Sequence, residues 1–195
     1  MGRRKHSVLV VQNDSLGARQ LAEAVSLAGY RIEGVHLTNH RRETSGFPSV
    51  AILDIDWAAK DPFWYAEHCS ANYIDFIFYT DRSLLAEYGL PREYWGATVF
   101  GKHTEAIAGT KCEPNDVEGE VQAGAEVISL IPELRLLSYL ECGDITLSDR
   151  VVDRVLREAI LQNSEDRLQV VPSVRVALIR ILFRIINSER RELMN

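Results

Sequence analysis

The segment Val50-Ala51-Ile52-Leu53-Asp54 is a short apolar run that ends at an acid. Two later runs are built in the same way and end at Thr80 and at Lys102. Apolar runs of this length, rich in β-branched and aromatic residues, are typical of strands buried in a parallel sheet. Because the carboxyl ends of parallel strands lie along one edge of the sheet, we expect Asp54, Thr80 and Lys102 to face one another there.

Strand-like and helix-like segments alternate through the rest of the first 110 residues. The patterns predict strands over residues 7–11, 31–36, 50–55, 74–79 and 97–100, and helices over 16–28, 58–70 and 82–88, with Ser15 as the first cap. Residues 38–49 are polar and leave little room for another helix. Such alternation predicts right-handed βαβ units. The predicted fold class is therefore α/β, a flavodoxin-like, doubly wound five-stranded parallel sheet with strand order 2-1-3-4-5.

A second unit is expected after the sheet. The chain has 195 residues, more than the about 100–150 residues of a typical single domain. Residues 111–120 are polar and contain Pro114, and apolar residues then recur at helical spacing over 121–139, 148–161 and 172–187. The predicted organisation is thus a sheet domain at 1–110, a linker at 111–120 and a small all-helical region at 121–195, which we expect to serve dimerisation or partner binding.

Composition and charge narrow the function classes. The three cysteines, Cys69, Cys112 and Cys142, are widely spaced and form no C-x-x-C pair, which argues against a disulfide framework or a zinc site and predicts a cytoplasmic location. No apolar segment has the length and the lack of charge of a membrane span or a signal peptide, so we expect no membrane contact. A net charge of -6 gives no support for nucleic-acid binding by the whole chain.

The residues at the predicted sheet edge make the chain similar to a known family. A hydroxyl and an ammonium beside a carboxylate suit phosphoryl transfer, because they stabilise the charge on the transferred oxygens. Over residues 6–110 the chain resembles the receiver domain of two-component response regulators, through Asp54, Thr80 and Lys102. The resemblance implies that Asp54 is a phosphoacceptor, that Thr80 and Lys102 bind the phosphoryl oxygens, and that a histidine kinase or phosphotransfer protein donates the group.

The chain departs from the receiver pattern where that pattern holds a metal. Receivers generally carry two acids at the end of the first strand that bind Mg²⁺, whereas this chain has Gln12 and Asn13. The site implied by the resemblance consists of Asn13, Asp54 and the carbonyl of Asp56. Since Mg²⁺ prefers charged oxygen ligands, we expect this site to bind Mg²⁺ weakly or not at all. Asp14 is the nearest acid that would compensate.

Two functional hypotheses follow from the residues that match the receiver pattern and from those that depart from it. The first is an atypical two-component response regulator, in which phosphorylation of Asp54 changes the dimer or partner contacts of the helical tail. The second is a pseudo-receiver that acts as a protein-interaction module without phosphorylation. It is motivated by the two amides at positions 12 and 13 and by Asp81 and Val99, which replace the small and aromatic residues of the family pattern. His103 stands where the family pattern has a proline.

The arginines of the helical tail motivate a third hypothesis, a DNA-binding transcriptional regulator. Arg150, Arg154 and Arg157 lie along one stripe of a predicted helix, beside acids that can pair with them. However, the gap at 162–171 exceeds the turn of a helix-turn-helix motif, and the helix at 174–186, with ten apolar residues of thirteen, is too apolar for a DNA groove. So apolar a helix needs burial by the other tail helices or by a second copy of the chain. A homodimer is the expected assembly, and DNA is the less favoured partner. The tail contains no known catalytic motif, so we expect no enzymatic activity.

Overall fold

The structure is a computed structural model that describes residues 7–40, 46, 48–102, 118–164 and 173–193. It divides into two compact units, Met1–Lys102 and His103–Asn195. The first unit contains five strands in the order β2-β1-β3-β4-β5, and every neighbouring pair is parallel. The predicted fold class and strand order are confirmed. The strands are β1 (Ser7–Gln12), β2 (Arg31–Leu37), β3 (Val50–Leu53), β4 (Asp75–Thr80) and β5 (Thr98–Gly101).

The two central strands explain why the apolar runs are continuous. Residues 8–11 of β1 and 51–53 of β3 are each at most 1% exposed. Strands covered on both faces read as unbroken apolar runs, and each fully buried aliphatic side chain contributes about 1.5–3 kcal/mol of transfer free energy. By contrast, β2 lies at the edge of the sheet, and none of its residues is fully buried: five are partly buried and two are exposed. The carboxyl ends of the central strands are thereby held in fixed positions.

Among the described residues, three α-helices accompany the sheet: α1 (Ser15–Leu27), α2 (Trp64–Ala71) and α3 (Arg82–Tyr88). The predicted cap of α1 at Ser15 is wrong, because Asp14 is the N-cap and its side chain accepts a hydrogen bond from the N–H of Gly17. The helix predicted over 58–70 begins six residues later, at Trp64. Asp56 instead closes a turn by accepting the N–H of Ala58, and Pro62 disfavours helical geometry in the residue before it.

The second unit is helical, with α4 (Glu118–Cys142), α5 (Ile145–Ser164) and α6 (Val174–Leu193). Helix α5 starts three residues before its predicted position because Asp144 caps it, accepting the N–H of Leu147 at 2.7 Å. The core of this unit is aliphatic, and within the described ranges no helix is long and apolar enough to cross a membrane. Most of the predicted linker, residues 111–117, and the predicted helix start at Pro172 lie outside the described residues.

Candidate functional site

Asp54 lies directly after β3, at the carboxyl edge of the sheet. Its backbone N–H donates to the carbonyl of Val11 at 2.9 Å, which extends the pairing of β1 and β3 by one bond. Its side chain is 1% exposed, and both carboxylate oxygens accept backbone hydrogen bonds: Oδ1 from the N–H of Ile55 at 2.9 Å and Oδ2 from the N–H of Asn13 at 3.0 Å. The carboxylate is therefore held by main-chain donors from two neighbouring strand ends.

Lys102 follows β5, which is two strands away from β3 in the sheet, and its side chain reaches the same place along the carboxyl edge. Its backbone N–H donates to the carbonyl of Thr80 at 2.9 Å. Its ammonium forms an ion pair with Oδ2 of Asp54 and donates to Oδ1 of Asn13 at 3.1 Å. The structure thus brings together two of the three predicted residues through their side chains, and the third, Thr80, through its main chain.

The ion pair between Asp54 and Lys102 is largely withdrawn from water, since the lysine side chain is only 14% exposed. Burying two opposite charges gains little net stability, because the loss of hydration offsets most of their attraction. Removing one partner is costly, by about 3–5 kcal/mol, since it leaves the other charge buried and unpaired. The ends of β3 and β5 thus hold two opposite charges in fixed positions that are largely withdrawn from water.

Two buried polar side chains beside this edge lack hydrogen-bond partners among the described residues. Thr80 ends β4 and is 1% exposed, and its hydroxyl has no partner there. The amide nitrogen of Gln12, which ends β1 and is also 1% exposed, is likewise unpaired within that part of the chain. Buried polar groups are nearly always satisfied, and leaving one unsatisfied costs about 1–3 kcal/mol. Both groups are therefore able to bind an additional polar atom.

The oxygens of the predicted Mg²⁺ ligands already have partners. The ammonium of Lys102 contacts both Asn13 and Asp54. The carbonyl of Asp56 accepts the N–H of Ala59 at 3.0 Å, and Asp14 caps α1. No cluster of three metal-binding His, Cys, Asp or Glu side chains occurs in the described ranges. A magnesium ion would have to displace the ammonium, so the predicted weak Mg²⁺ site stays a prediction.

The remaining positions singled out from the sequence have other surroundings. Asp81 is the N-cap of α3 and accepts the N–H and the hydroxyl of Ser83 at 2.8 and 2.6 Å. Val99 packs against the apolar core of the sheet unit, and His103 lies outside the described residues. The main-chain donors of Asn13 and Ile55 could not be predicted, because the direction of a backbone N–H is set by the loop and not by the residue type.

Comparison with known protein families and with curated proteins found no match. No model of a known protein family matches the chain, and no curated protein matches it. The function must therefore be inferred from the fold and from the chemistry of the sheet edge.

Proposed function

We propose that this chain is an atypical two-component response regulator whose sheet unit accepts a phosphoryl group on Asp54. The observation that carries the proposal is the ion pair of Asp54 with Lys102 at the carboxyl edge of a parallel sheet of order 2-1-3-4-5. The hydroxyl of Thr80, at the end of the strand between them, supports it, because it has no hydrogen-bond partner among the described residues. A cytoplasmic location and a histidine kinase or phosphotransfer protein as donor belong to the same proposal.

The proposed step transfers a phosphoryl group between two proteins. A carboxylate oxygen of Asp54 attacks the phosphorus of a phosphohistidine on the donor. The new P–O bond forms as the P–N bond breaks, and the donor imidazole leaves with the electron pair of that bond and takes up a proton. The ammonium of Lys102 then moves from the carboxylate to the phosphoryl oxygens, where it neutralises their charge. Phosphorylation would thus release the ion pair that now closes the site.

The proposed output is a change in the dimer or partner contacts of the helical unit. A phosphoryl group adds about 1.5–2 negative charges near pH 7 and three strong hydrogen-bond acceptors. Such a change shifts the population of two conformations only if the two conformations bind the group differently. The movement of Lys102 between two sets of oxygens supplies such a difference.

The test is the intact mass of the purified chain after incubation with acetyl phosphate, over a range of Mg²⁺ concentrations. We expect one phosphoryl adduct on the natural chain and none on Asp54→Asn. The matched control is Asp56→Asn, which removes a neighbouring carboxylate and keeps the carbonyl, and which should still form the adduct. Failure of the natural chain to form an adduct at any Mg²⁺ concentration, or an adduct that survives in Asp54→Asn, would contradict the proposal.

The second candidate is the pseudo-receiver that acts as a protein-interaction module. It is favoured by the closed state of the site, in which Asp54 is almost fully buried and both of its oxygens are bonded. Under this proposal the ion pair is a structural link between strands. Acetyl phosphate would then leave hydrogen exchange at the sheet edge unchanged, whereas a response regulator would show altered exchange around residues 80–102.

DNA binding through the tail is the third candidate. Several tail arginines are paired with carboxylates: Arg135 with Asp149, Arg157 with Asp153, Arg175 with Glu133 and Arg184 with Glu158. Pairing of this kind reduces the positive charge that the tail offers to phosphates. We therefore rank this candidate last. Binding to duplex DNA that weakens steeply with added salt would reverse that order.

A further inference from the structure

An open groove runs between α1 and β2, on a part of the sheet unit that the proposed phosphorylation does not use. It has a volume of about 700 Å³ and is bordered by Ala18 and Ala22 of the helix and by Val35 and Leu37 of the strand. Its surroundings are apolar and exposed: Val35 is 45% exposed, and Leu16 on the same helix is 63% exposed. An apolar surface of this kind is a feature of protein interaction sites.

The strand that borders the groove, β2, is protected against pairing with a further strand in its first half but not in its second half. β2 has one neighbour in the described sheet, so half of its backbone N–H and C=O groups face away from β1. Its first half carries a charge pair, Arg31 with Glu33 at 2.6 Å, and an irregular register, and both features discourage pairing with another strand. Its second half, residues 34–37, has regular register and no acid or lysine. Only this second half is suited to receive a further strand.

The two charged residues beside the groove have opposite signs, so the grooves of two copies of the chain can form ionic contacts with each other. Arg19 and Glu23 both line the groove, one turn apart on α1, and both are exposed. A two-fold axis beside Ala22 and Val35 would place Arg19 of one copy opposite Glu23 of the other, and would make the reciprocal pair at the same time. The same axis would run the two β2 strands antiparallel, edge to edge, with both α1 helices on one face of a continuous sheet.

We propose that this groove binds a second copy of the chain, through antiparallel pairing of residues 34–37 and packing of α1 against α1. The occupant is a second copy and not a peptide of another protein, because α1 alone presents both halves of each ionic contact. This interface does not involve Asp54 and goes beyond the proposed phosphorylation. It uses residues of the sheet unit only, unlike the dimerisation expected of the helical unit.

The test is the mass of the full chain in solution, by light scattering, for variants with reversed charge. We expect the natural chain to form a species of at least twice its 22.0 kDa mass. Arg19→Glu and Glu23→Arg each place like charges opposite one another, so each variant alone should have half the mass of the natural species. Mixing the two variants in equal amounts restores both ionic contacts and should restore the mass of the natural species.

The controls separate this interface from others. Lys60→Glu reverses an exposed charge in the same unit, away from the groove, and should leave the mass unchanged. Val35→Lys should lower the mass without rescue by either charge variant. A natural chain that stays at 22.0 kDa, single variants that keep the natural mass, or a mixture that fails to recover it would each overturn the proposal. An association through the helical unit alone would give the second of these results.

Discussion

A single ammonium group carries much of the order at the sheet edge. The ammonium of Lys102 contacts the side chains of Asp54 and Asn13, and the backbone N–H of Lys102 donates to the carbonyl of Thr80. That Lys102 belongs to this edge could be predicted from the sequence, because a lysine directly after an apolar strand is unusual in a chain with few lysines. Its partners could be predicted only in part. The strand ends are visible in the hydrophobic pattern, but the hydrogen bonds of the Asp54 carboxylate depend on backbone directions that no pattern records.

We predict that Lys102→Met destabilises the chain by about 3 kcal/mol, because it leaves the buried carboxylate of Asp54 without a counter-charge. The measurement is the free energy of unfolding in urea. The double variant Asp54→Asn with Lys102→Met should recover most of the loss, since it removes both charges. Lys60→Met, at an exposed position, is the control and should change the stability by less than about 0.5 kcal/mol. A small effect of Lys102→Met would contradict the buried ion pair.

Cys69 makes the stability of the fold depend on pH in the alkaline range. Burial raises the pKa of its thiol from 9.0 to about 11, because the thiolate cannot be hydrated in the core. The folded pKa lies above the unfolded one, so the protonated thiol stabilises the fold fully below pH 9, and this contribution is lost as the pH rises through 11. The slope is at most about 1.4 kcal/mol per pH unit.

We therefore expect the stability difference between the natural chain and Cys69→Ala to shrink between pH 9 and pH 11. The alanine has no thiol to titrate, so the effects of all other groups cancel in the comparison. Urea unfolding at several pH values measures the difference. A difference that is constant over this range would show that the thiol is not buried as described.

At the scale of elements, the strands agree with their predicted positions better than the helix starts do. The central strands β1 and β3 are buried on both faces and must be apolar, so their positions show in the sequence. The helix starts depend on short-range competition for backbone N–H groups, and this explains the two differences at α1 and α2. There Asp14 caps the helix in place of Ser15, and Asp56 forms a turn that delays α2.

Two serines that are fully buried in the core of the helical unit differ in the hydrogen bonding of their hydroxyl groups. Ser148, in α5, donates its hydroxyl to the carbonyl of Asp144 at 2.6 Å. The hydroxyl of Ser138, in α4, has no partner among the described residues. Such a hydroxyl loses its hydration and gains nothing in return. The two residues therefore form a matched pair for measuring what a buried hydrogen bond contributes.

We predict that Ser138→Ala stabilises the chain by about 1 kcal/mol, because it removes an unsatisfied group from the core. Ser148→Ala should destabilise it by a similar amount, because it leaves the Asp144 carbonyl without this donor. Thermal unfolding followed by circular dichroism at 222 nm compares the two variants. Equal effects of the same sign would contradict the difference in their surroundings.

At the scale of the whole molecule, the two units offer separate optical signals. All three tryptophans, Trp57, Trp64 and Trp95, belong to the sheet unit, while α4, α5 and α6 supply most of the helical signal. Each unit has a buried core of its own. Substitutions in separate cores without shared partners usually have independent effects.

We expect Lys102→Met to lower the urea midpoint seen by tryptophan fluorescence more than the midpoint seen by circular dichroism. Ser138→Ala should raise the circular dichroism midpoint and leave the fluorescence midpoint in place. Both probes are recorded on the same samples of the full chain. Coincident shifts of the two midpoints in both variants would show that the units unfold as one.

The position of Lys102 at the end of the sheet unit also bears on how the chain folds during synthesis. Asp54 enters the growing chain 48 residues before the lysine that neutralises it. Until β5 and Lys102 have left the ribosome, docking β3 in the sheet would bury an unpaired carboxylate, at a cost comparable to much of a domain's stability. We therefore expect the nascent sheet to close only after Lys102 has left the ribosome, and we expect the helical unit, with mostly local contacts, to fold soon after its synthesis.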